Sequence, residues 1–329
     1  MLTLGQLYQA WKDFSAGKEK KTDIMRFAIN VEDELLSLLY DLQSGEYRHA
    51  AYERFVVHDP RRRVIHKASV RDRVVHRLVY NELLPELHAR WLDCSFSCRP
   101  GFGQRRSIAA AQKGLRQATQ NWSRECWVLK LDVKKFFDSV DHDVLRKLLF
   151  RHVADPSIQW LLTVIIESFS TCAGKGLSIG NLTSQLFANV YLHELDWFAK
   201  HGLKQRWYYR YADDILFLCD SHEEADGILD HVRLFLLDRL CLTLHPGKIH
   251  QRKSTWGIDW LGRVLLPGYA VLRPTTRRRI IKRVERSVLL DDIDGVRRSV
   301  ASYNGLLIGT ARRALDQKLL QDIALLRGT

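Results

Sequence analysis

The sequence predicts an α+β fold in which a small antiparallel sheet carries helices on one face. Residues 127–131 (WVLKL) have the composition of a buried strand, and helical patterns follow from residue 143. Two further short apolar segments, 206–211 and 215–220, are separated by residues 212–214, which is the spacing of a tight hairpin. A strand, helices, a hairpin and another helix, in that order, are typical of an α+β platform.

The remaining elements are predicted from apolar periodicity and turn residues. A strand pair is expected over residues 54–64, with its turn at Asp59 and Pro60, and further strands are expected near 260–266 and 269–272. The predicted helices, which share apolar residues at helical intervals, span residues 4–14, 23–42, 108–118, 143–153, 157–169, 181–201 and 223–240. Everything from residue 273 onward is expected to be helical and basic.

Charge is concentrated at two places. The chain has 329 residues, of which 46% are hydrophobic and 27% charged, as in ordinary folded proteins, and its net charge is +13. Residues 54–106 contain 12 basic and 5 acidic side chains, and residues 273–329 contain 13 and 6. A near-neutral middle between two basic flanks is expected of a protein that binds a polyanion from two sides, although two solvated helical faces would have the same composition.

Membrane insertion, export and cysteine-based metal binding are not indicated. The longest apolar stretches, such as residues 161–166, are far shorter than the roughly 20 residues that cross a bilayer. The six cysteines form no Cys-x-x-Cys pair. A reduced, cytoplasmic setting is therefore expected.

Three aspartates carry the chemistry. Asp132 ends the strand at 127–131, and Asp213 and Asp214 lie at the tip of the hairpin, so the sheet is expected to bring them to one edge. Carboxylates that are close together repel unless a hard dication lies between them, and oxygen ligands without His or Cys suit Mg²⁺. Two such ions would activate an attacking 3′-hydroxyl and stabilise a pyrophosphate leaving group. Taken alone, an Asp-Asp hairpin tip is more typical of a solvated turn.

The surrounding motifs resemble those of a known family, the reverse transcriptases. LDVKKFFDSVDH (131–142) resembles the first catalytic motif of that family, and YADD (211–214) resembles the second. Other segments resemble the fingers, the helix that contacts nucleotide and template, and the later palm motifs: RVIHKASVRDRVVH (63–76), IGNLTSQLFAN (179–189), LHPGKIH (244–250) and IDWLGRVL (258–265). The resemblance covers nearly the whole chain and implies a right-hand polymerase with fingers, palm and short helical thumb. It places the N-terminal helical extension and fingers at 1–108, the palm at 109–268 with a fingers portion near 143–176, and the basic thumb at 269–329.

The resemblance also implies roles at the catalytic centre. Asp132, Asp213 and Asp214 would be catalytic and would bind Mg²⁺, or Mn²⁺ as a substitute, together with the backbone carbonyl of Val133. Lys248 matches the late palm lysine, which assists the departure of pyrophosphate; a surface salt bridge is the alternative.

Further roles concern the substrates. Phe137 matches the aromatic ring that excludes a 2′-hydroxyl and so favours dNTPs, and a core phenylalanine beside Phe136 is the alternative. The residues implied in nucleotide binding are Phe137, Ile179, Gly180, Gln185, Arg63 and Lys67, with Arg61, Arg62, Arg71 and Arg73 as alternatives to the last two. Those implied in binding the template RNA and the RNA/DNA hybrid are Arg99, Arg105, Arg106, Arg277, Arg278 and Arg279.

One motif points to a branch of the family. Many reverse transcriptases have Gln-Gly followed by Ser-Pro where this chain has Ile179-Gly180 and Ser184-Gln185. This form resembles the reverse transcriptases of diversity-generating retroelements, which copy a template RNA with errors at adenines. Loss of the glutamine removes a polar group near the nucleotide and should lower fidelity. The resemblance implies a small basic accessory protein as a partner and a bacterial or phage-encoded origin.

Two alternatives remain at this point. A group II intron-like or defence-associated bacterial reverse transcriptase would share the catalytic motifs. A non-catalytic RNA-binding scaffold would also keep the fold, but it would have no use for three converging carboxylates, which destabilise a fold when no cation is bound.

Overall fold

The computed structural model describes residues 2–58, 62–290, 292–311 and 313–325. The architecture is α+β, as predicted. The helices, numbered in chain order, are α1 (Leu4–Ser15), α2 (Thr22–Ile29), α3 (Val31–Ser44), α4 (Val70–Arg90), α5 (Gln104–Ala118), α6 (Phe136–Ser139), α7 (His142–Phe150), α8 (Pro156–Glu167), α9 (Leu182–Trp197), α10 (His222–Leu240), α11 (Pro274–Leu289), α12 (Ile293–Leu307) and α13 (Arg313–Leu325).

The strands form three small sheets among the described residues. They are β1 (Glu53–Val57), β2 (Arg63–Lys67), β3 (Trp127–Asp132), β4 (Tyr208–Tyr211), β5 (Asp214–Cys219), β6 (His250–Lys253), β7 (Ile258–Trp260), β8 (Arg263–Leu266) and β9 (Tyr269–Leu272). The sheet that carries the aspartates has the order β4-β5-β3-β6. The other two sheets, β1-β2 and β7-β8-β9, are antiparallel. The turn predicted at Asp59 and Pro60 lies outside the described residues.

The chain divides into two compact units, each built from separate segments. The first consists of Met1–Gly103, Lys130–Ile215 and Ile228–Ile249, and the second of Gln104–Leu129, Leu216–Gly227 and His250–Thr329. Strands β3 and β5 and helix α10 have residues in both. The three-part division into fingers, palm and thumb stays a prediction.

Helix α9 is central to the first unit, where it packs against α4 and α7. Leu186 and Val190 are buried, as expected for a core helix. Three polar residues of α9, Thr183, Asn189 and Asp196, are also at most 3% exposed. Buried polar groups require hydrogen-bond partners, and the partners of these three lie at the candidate active site and beside it.

The second unit contains a separate apolar cluster in which α11, α12 and α13 pack together. Ile280 and Val284 of α11 are at most 3% exposed and contact Tyr303 and Leu307 of α12. Most cationic side chains of α11 are exposed to solvent, and Arg277 is half-buried.

Three predicted elements differ from the structure. The helix predicted over 23–42 is broken at Asn30, whose backbone (φ −120°, ψ 33°) leaves the helical region and separates α2 from α3. The helix predicted over 181–201 ends as a π-helical turn at Phe198–Gly202. The strand predicted near 260–266 is two strands, because Leu261 and Gly262 both have positive φ and reverse the chain. None of the described helices is long and apolar enough to cross a membrane.

Candidate active site

Asp132 lies at the end of a buried strand. The neighbouring β3 residues Leu129 and Leu131 are fully buried, and Asp132 itself is 9% exposed. Its backbone carbonyl accepts a hydrogen bond from the N–H of His245 at 2.8 Å. Strand β3 thus fixes the carboxylate at the edge of the core, next to the segment that leads to Lys248.

The same backbone pairing orients Val133. The N–H of Lys134 donates to Thr243, and Val133 faces Leu244 in an antiparallel bridge between the two hydrogen bonds. In an antiparallel pair whose two facing residues are not hydrogen-bonded to each other, the carbonyl of each residue points away from the partner strand. The other side of β3 is occupied by β5, which begins at Asp214.

Asp213 lies in the turn between β4 and β5. The turn consists of Ala212 and Asp213, and Ala212 has a positive φ of 52°, which is uncommon for a residue other than glycine. Strands joined by two residues pair antiparallel, so Asp213 lies at the tip and Asp214 begins the second strand. The structure thereby confirms the hairpin, with strand ends within two residues of those predicted.

A buried ion pair supports this turn, and the sequence analysis missed it. Arg210 is fully buried in β4 and donates to both carboxylate oxygens of Asp196 on α9, each at 2.6 Å. It also donates to the carbonyl of Ala212 at 3.2 Å and to Ser95 at 2.8 Å. A bidentate pair of this kind fixes geometry as well as charge. The only sequence signal was an arginine within an otherwise aromatic strand, YYRY.

Asp213 lies in an unfavourable environment for its negative charge. Its pKa is raised to about 6, chiefly by burial and then by the negative charges of Asp214 and Asp132, while Lys248 opposes the shift. Lys130 lies 3.8 Å from Asp214. A carboxyl group with such a pKa gives up its proton readily when a cation binds nearby.

Lys248 forms an ion pair with Asp132. Its Nζ lies 2.7 Å from both carboxylate oxygens of Asp132. A short 3₁₀ turn, Pro246–Lys248, holds the lysine, and Nδ1 of His245 accepts from the N–H of Gly247 at 3.2 Å within it. The salt bridge that the sequence analysis gave as the alternative is therefore formed, and its partner is a predicted catalytic residue.

The donor chemistry fits a hard dication, but the described geometry does not assemble a metal site. Within the described ranges, no group of three or more His, Cys, Asp or Glu side chains is arranged to hold a metal ion. The oxygen donors of Asp132, Asp213 and Asp214 are of the type that Mg²⁺ prefers. In this structure the ammonium group of Lys248 supplies positive charge at Asp132.

The structure gives a physical reason for the residue type at two positions, Phe137 and Gly180, that are predicted to contact the nucleotide. Phe136 is buried at 2% exposure, whereas Phe137 is only half-buried. Phe136 is therefore the core residue of the pair and leaves the Phe137 ring partly accessible. Gly180 has φ +119°, and a Cβ there would lie 2.7 Å from Cγ2 of Ile65, so only glycine fits.

Ile179 and Gln185 flank the start of α9. The carbonyl of Ile179 accepts from the N–H of His66 at 2.9 Å, which ties this motif to β2. Gln185 is exposed on the first turn of α9, where it is open to a ligand.

Arg63 and Lys67, the two cations predicted to contact the triphosphate, differ in their exposure and in their partners. Arg63 is exposed at the start of β2. Lys67 at its end is bound to Asp23 at 3.0 Å and to Glu53 at 3.3 Å. Its pKa is raised, chiefly by the hydrogen bond to Asp23. A contact between Lys67 and a triphosphate would have to replace these carboxylates.

The predicted template arginine of the first unit is buried. Arg99 is 7% exposed and donates to the carbonyls of Leu92, Ser95 and Trp91 at 2.6, 2.8 and 3.2 Å. Its guanidinium also lies 3.8 Å from the ring centroid of Phe102. This environment favours a structural role for Arg99 over a contact with template phosphates.

The other predicted template residues belong to the second unit. Arg105 and Arg106 are exposed at the start of α5, and Arg105 donates to the carbonyl of Gly305 at 3.2 Å. On α11, Arg278 and Arg279 are exposed. Arg277 instead forms an ion pair with Asp316 at 2.8 Å, and Asp316 is 5% exposed.

The chain is similar to several known proteins. Protein YkfC of Escherichia coli (strain K12) is 24% identical over 273 residues, which are 71% of each protein. An uncharacterized 91 kDa protein in the cob intron of Schizosaccharomyces pombe is 26% identical over 186 residues, which are 54% of this chain and 22% of that protein. The structure of apo telomerase from Candida tropicalis, truncated from its C-terminal domain, matches with a TM-score of 0.52 at 12% identity.

These matches differ in coverage. The telomerase match includes 73% of this chain but 60% of that one, so this chain spans less than two thirds of it. At this identity the match shows the fold alone, and that fold is consistent with a right-hand polymerase. A family model described as reverse transcriptase (RNA-dependent DNA polymerase) matches residues 58–265, which include Asp132, Asp213 and Asp214. Since that range is more than half of the chain, the protein belongs to the reverse transcriptase (RNA-dependent DNA polymerase) family.

Proposed function

We propose that this protein synthesises DNA on an RNA template by two-metal-ion nucleotidyl transfer. The observation that carries the proposal is the placement of Asp132 at the end of β3 and of Asp213 and Asp214 at the β4–β5 turn, where the charges of Asp214 and Asp132 add to burial in raising the pKa of Asp213, within a chain of the reverse transcriptase family. Each of these carboxylates, with the carbonyl of Val133, offers an oxygen ligand. When bound, Mg²⁺, or Mn²⁺ in its place, supplies positive charge that activates the primer 3′-hydroxyl and stabilises the pyrophosphate.

The chain's own residues have separate tasks in this proposal. Lys248 leaves Asp132 and offers its ammonium group to the departing pyrophosphate. The partly accessible ring of Phe137 excludes a 2′-hydroxyl and so selects dNTPs. Arg63 contacts the triphosphate, and Gln185 with Gly180 lines the position of the incoming nucleotide.

The second unit contributes cations for the nucleic acid. Arg105, Arg106, Arg278 and Arg279 are exposed and bind the phosphates of template RNA and of the RNA/DNA hybrid by charge. Such contacts hold the backbone without reading sequence.

The proposed subtype is an error-prone enzyme that diversifies a target gene. Ile179 places an aliphatic side chain where many relatives have a glutamine, so base selection depends more on shape than on hydrogen bonding. Errors are expected opposite template adenines, as in the diversity-generating retroelements that the motif resembles. A small basic accessory protein and a bacterial or phage-encoded, cytoplasmic setting belong to the same proposal.

A group II intron-like role is the second candidate. It is favoured by the 26% identity to a protein in the cob intron of Schizosaccharomyces pombe, of which this chain covers 22%. The two roles predict different products, because an intron-like enzyme has no reason to concentrate its errors at adenines.

Sequencing of the cDNA made by the purified protein tests the proposal. Substitutions concentrated opposite template adenine support the diversifying role, and Ile179→Gln should reduce them while keeping synthesis. An unchanged error spectrum in Ile179→Gln would show that this residue is not the source of infidelity. If the wild-type cDNA has few errors, evenly spread over the bases, the intron-like role is the better one.

A further inference from the structure

A buried hydrogen-bond network joins α4 to the first turn of α9. Nδ1 of His76 lies 2.5 Å from Oγ1 of Thr183, and Nε2 of His76 lies 3.1 Å from Nε2 of His49. Nδ1 of His49 lies 2.7 Å from the carbonyl of Ala50. His76 and Thr183 are each 1% exposed, so these contacts are shielded from water.

The far end of the network is firmly anchored. Asp72, on α4 and 1% exposed, accepts from the hydroxyl of Tyr47 at 2.7 Å and from that of Ser69 at 2.6 Å. It also accepts from the N–H of Ala50 at 3.2 Å, which places the carbonyl that His49 contacts. The residues that hold His49 are thus fixed by a carboxylate with several donors.

A carbonyl only accepts, so His49 donates from Nδ1 to Ala50. A neutral imidazole ring donates from one nitrogen and accepts at the other. His76 is thus hydrogen-bonded at both ring nitrogens, to His49 at Nε2 and to Thr183 at Nδ1. Burial, together with His49, lowers the pKa of His76 to about 3, which keeps the His76 ring neutral.

The start of α9 depends on such outside contacts. Asn181 precedes the helix, but its side chain makes no capping hydrogen bond to the helix. It donates instead to the carbonyl of His66 at 2.9 Å and to Ser178 at 2.7 Å. A helix start without its own side-chain cap is positioned by the neighbours that hold its first turn, and Thr183 is one of the points where it is held.

We infer that His76 and Thr183 are positioning residues for nucleotide selection. Their hydrogen bond fixes the first turn of α9 and, two residues further on, the exposed side chain of Gln185. The inference rests on the proposed function, since it assigns Gln185 to the nucleotide site. Neither His76 nor Thr183 touches the substrate, because both are buried.

The test is single-nucleotide incorporation on an RNA template by the full chain, with kcat and KM measured separately. Thr183→Val keeps the shape of the side chain but removes the hydroxyl, which leaves Nδ1 of His76 without this hydrogen-bond partner. We expect the KM for dNTP to rise roughly tenfold, with a smaller change in kcat, the size expected when a buried hydrogen-bond partner is lost. Thr183→Ser, which keeps the hydroxyl, should restore the wild-type KM.

The matched control is Thr163→Val in α8. Its hydroxyl donates to the backbone carbonyl of Gln159 at 2.9 Å, so the substitution has the same chemistry away from α9. We expect its KM to equal that of the wild type. A Thr183→Val enzyme with wild-type KM, or a Thr183→Ser enzyme as impaired as Thr183→Val, would overturn the inference while leaving the polymerase function intact.

A second measurement does not depend on catalysis. Hydrogen exchange of backbone amides at residues 182–186 should be faster in Thr183→Val than in the wild type and unchanged in Thr163→Val. Unaltered exchange in Thr183→Val would contradict the positioning role. A wild-type protein that incorporates no nucleotide would refute the proposed function instead, so the two failures are distinguishable.

Discussion

The negative charge of Asp213 destabilises the folded state of the metal-free protein. Its pKa is raised to about 6, first by burial and then by Asp214 and Asp132. An acid whose pKa is higher in the folded state than in the unfolded state binds its proton more tightly when folded. Protonated Asp213 therefore stabilises the folded state at low pH. This contribution is lost as the pH rises from about 4 to 6 and is absent above pH 6.

Asp213→Asn should consequently stabilise the metal-free protein at pH 8 while abolishing DNA synthesis. Because the pKa of Asp213 is raised in the folded state, removal of its charge should increase the free energy of unfolding by roughly 1 to 3 kcal/mol. Urea unfolding in EDTA at pH 8 measures it, and Asp230→Asn, an exposed aspartate paired with Arg233, is the control with no expected gain. Below pH 4 the gain should vanish, since both proteins are then uncharged at position 213. A gain of equal size at pH 3.5 and pH 8 would exclude this electrostatic origin.

Some residues of the site could be predicted from the sequence and others could not. Asp132, Asp213 and Asp214 stand in short motifs with a strand or hairpin signature, so local pattern predicted their positions at a strand end and a hairpin turn, while their catalytic role was implied by the family resemblance. The Arg210 to Asp196 ion pair could not be predicted, because its partners lie on different elements and neither belongs to a motif. The same limit applies to Arg99, whose burial depends on the carbonyls around it.

At the scale of elements, hydrogen bonds between β2 and residues 179–181 fix the segment before α9. The N–H of His66 donates to Ile179, and Asn181 donates back to His66. Gly180 lies between these two contacts, and a Cβ at this position would lie 2.7 Å from Cγ2 of Ile65. Sequence periodicity predicted α9 and its start within one residue, but it could not predict this pairing, which joins residues more than a hundred positions apart.

Gly180→Ala should disrupt this connection. The new Cβ would lie 2.7 Å from Cγ2 of Ile65 in a backbone conformation that alanine avoids. We expect a loss of about 2 kcal/mol or more in the free energy of unfolding and a raised KM for dNTP. Chemical denaturation and incorporation kinetics measure the two effects.

Gly227→Ala is the matched control for this substitution. Gly227 lies inside α10, and nothing lies within 4 Å of a Cβ placed there. Alanine should therefore stabilise this helix by about 0.5 to 1 kcal/mol. Equal stability changes in the two variants would show that the close approach at Gly180 has no energetic weight.

At the scale of the whole molecule, the basic side chains of the C-terminal segment differ in what they contact. The sequence predicted a basic helical segment from residue 273, and α11 within it buries Ile280 and Val284. The difference between Arg277 and its neighbours was not readable, because the carboxylate of Asp316 lies 39 residues away on α13. An arginine within a basic cluster, such as Arg277, can therefore be paired within the protein instead of being exposed to a ligand.

Arg278→Ala combined with Arg279→Ala should weaken binding of an RNA/DNA hybrid. The slope of log affinity against log salt should become shallower by about 0.9 for each phosphate that is no longer neutralised by an arginine. Fluorescence anisotropy across a salt series measures it. Arg90→Ala combined with Arg233→Ala removes the same charge from exposed positions in the other unit and should leave the slope unchanged. Equal effects of the two pairs would mean that only net charge matters.

Extension of a DNA primer on an RNA template, in Mg²⁺, by the wild type and by Asp213→Ala is the most direct test of the catalytic assignment. The wild type should extend the primer, and Asp213→Ala should not, although it binds the RNA with affinity within about twofold of the wild type, since the phosphate-binding cations are untouched. Extension by Asp213→Ala at the wild-type rate would contradict the assignment of the three carboxylates to metal binding.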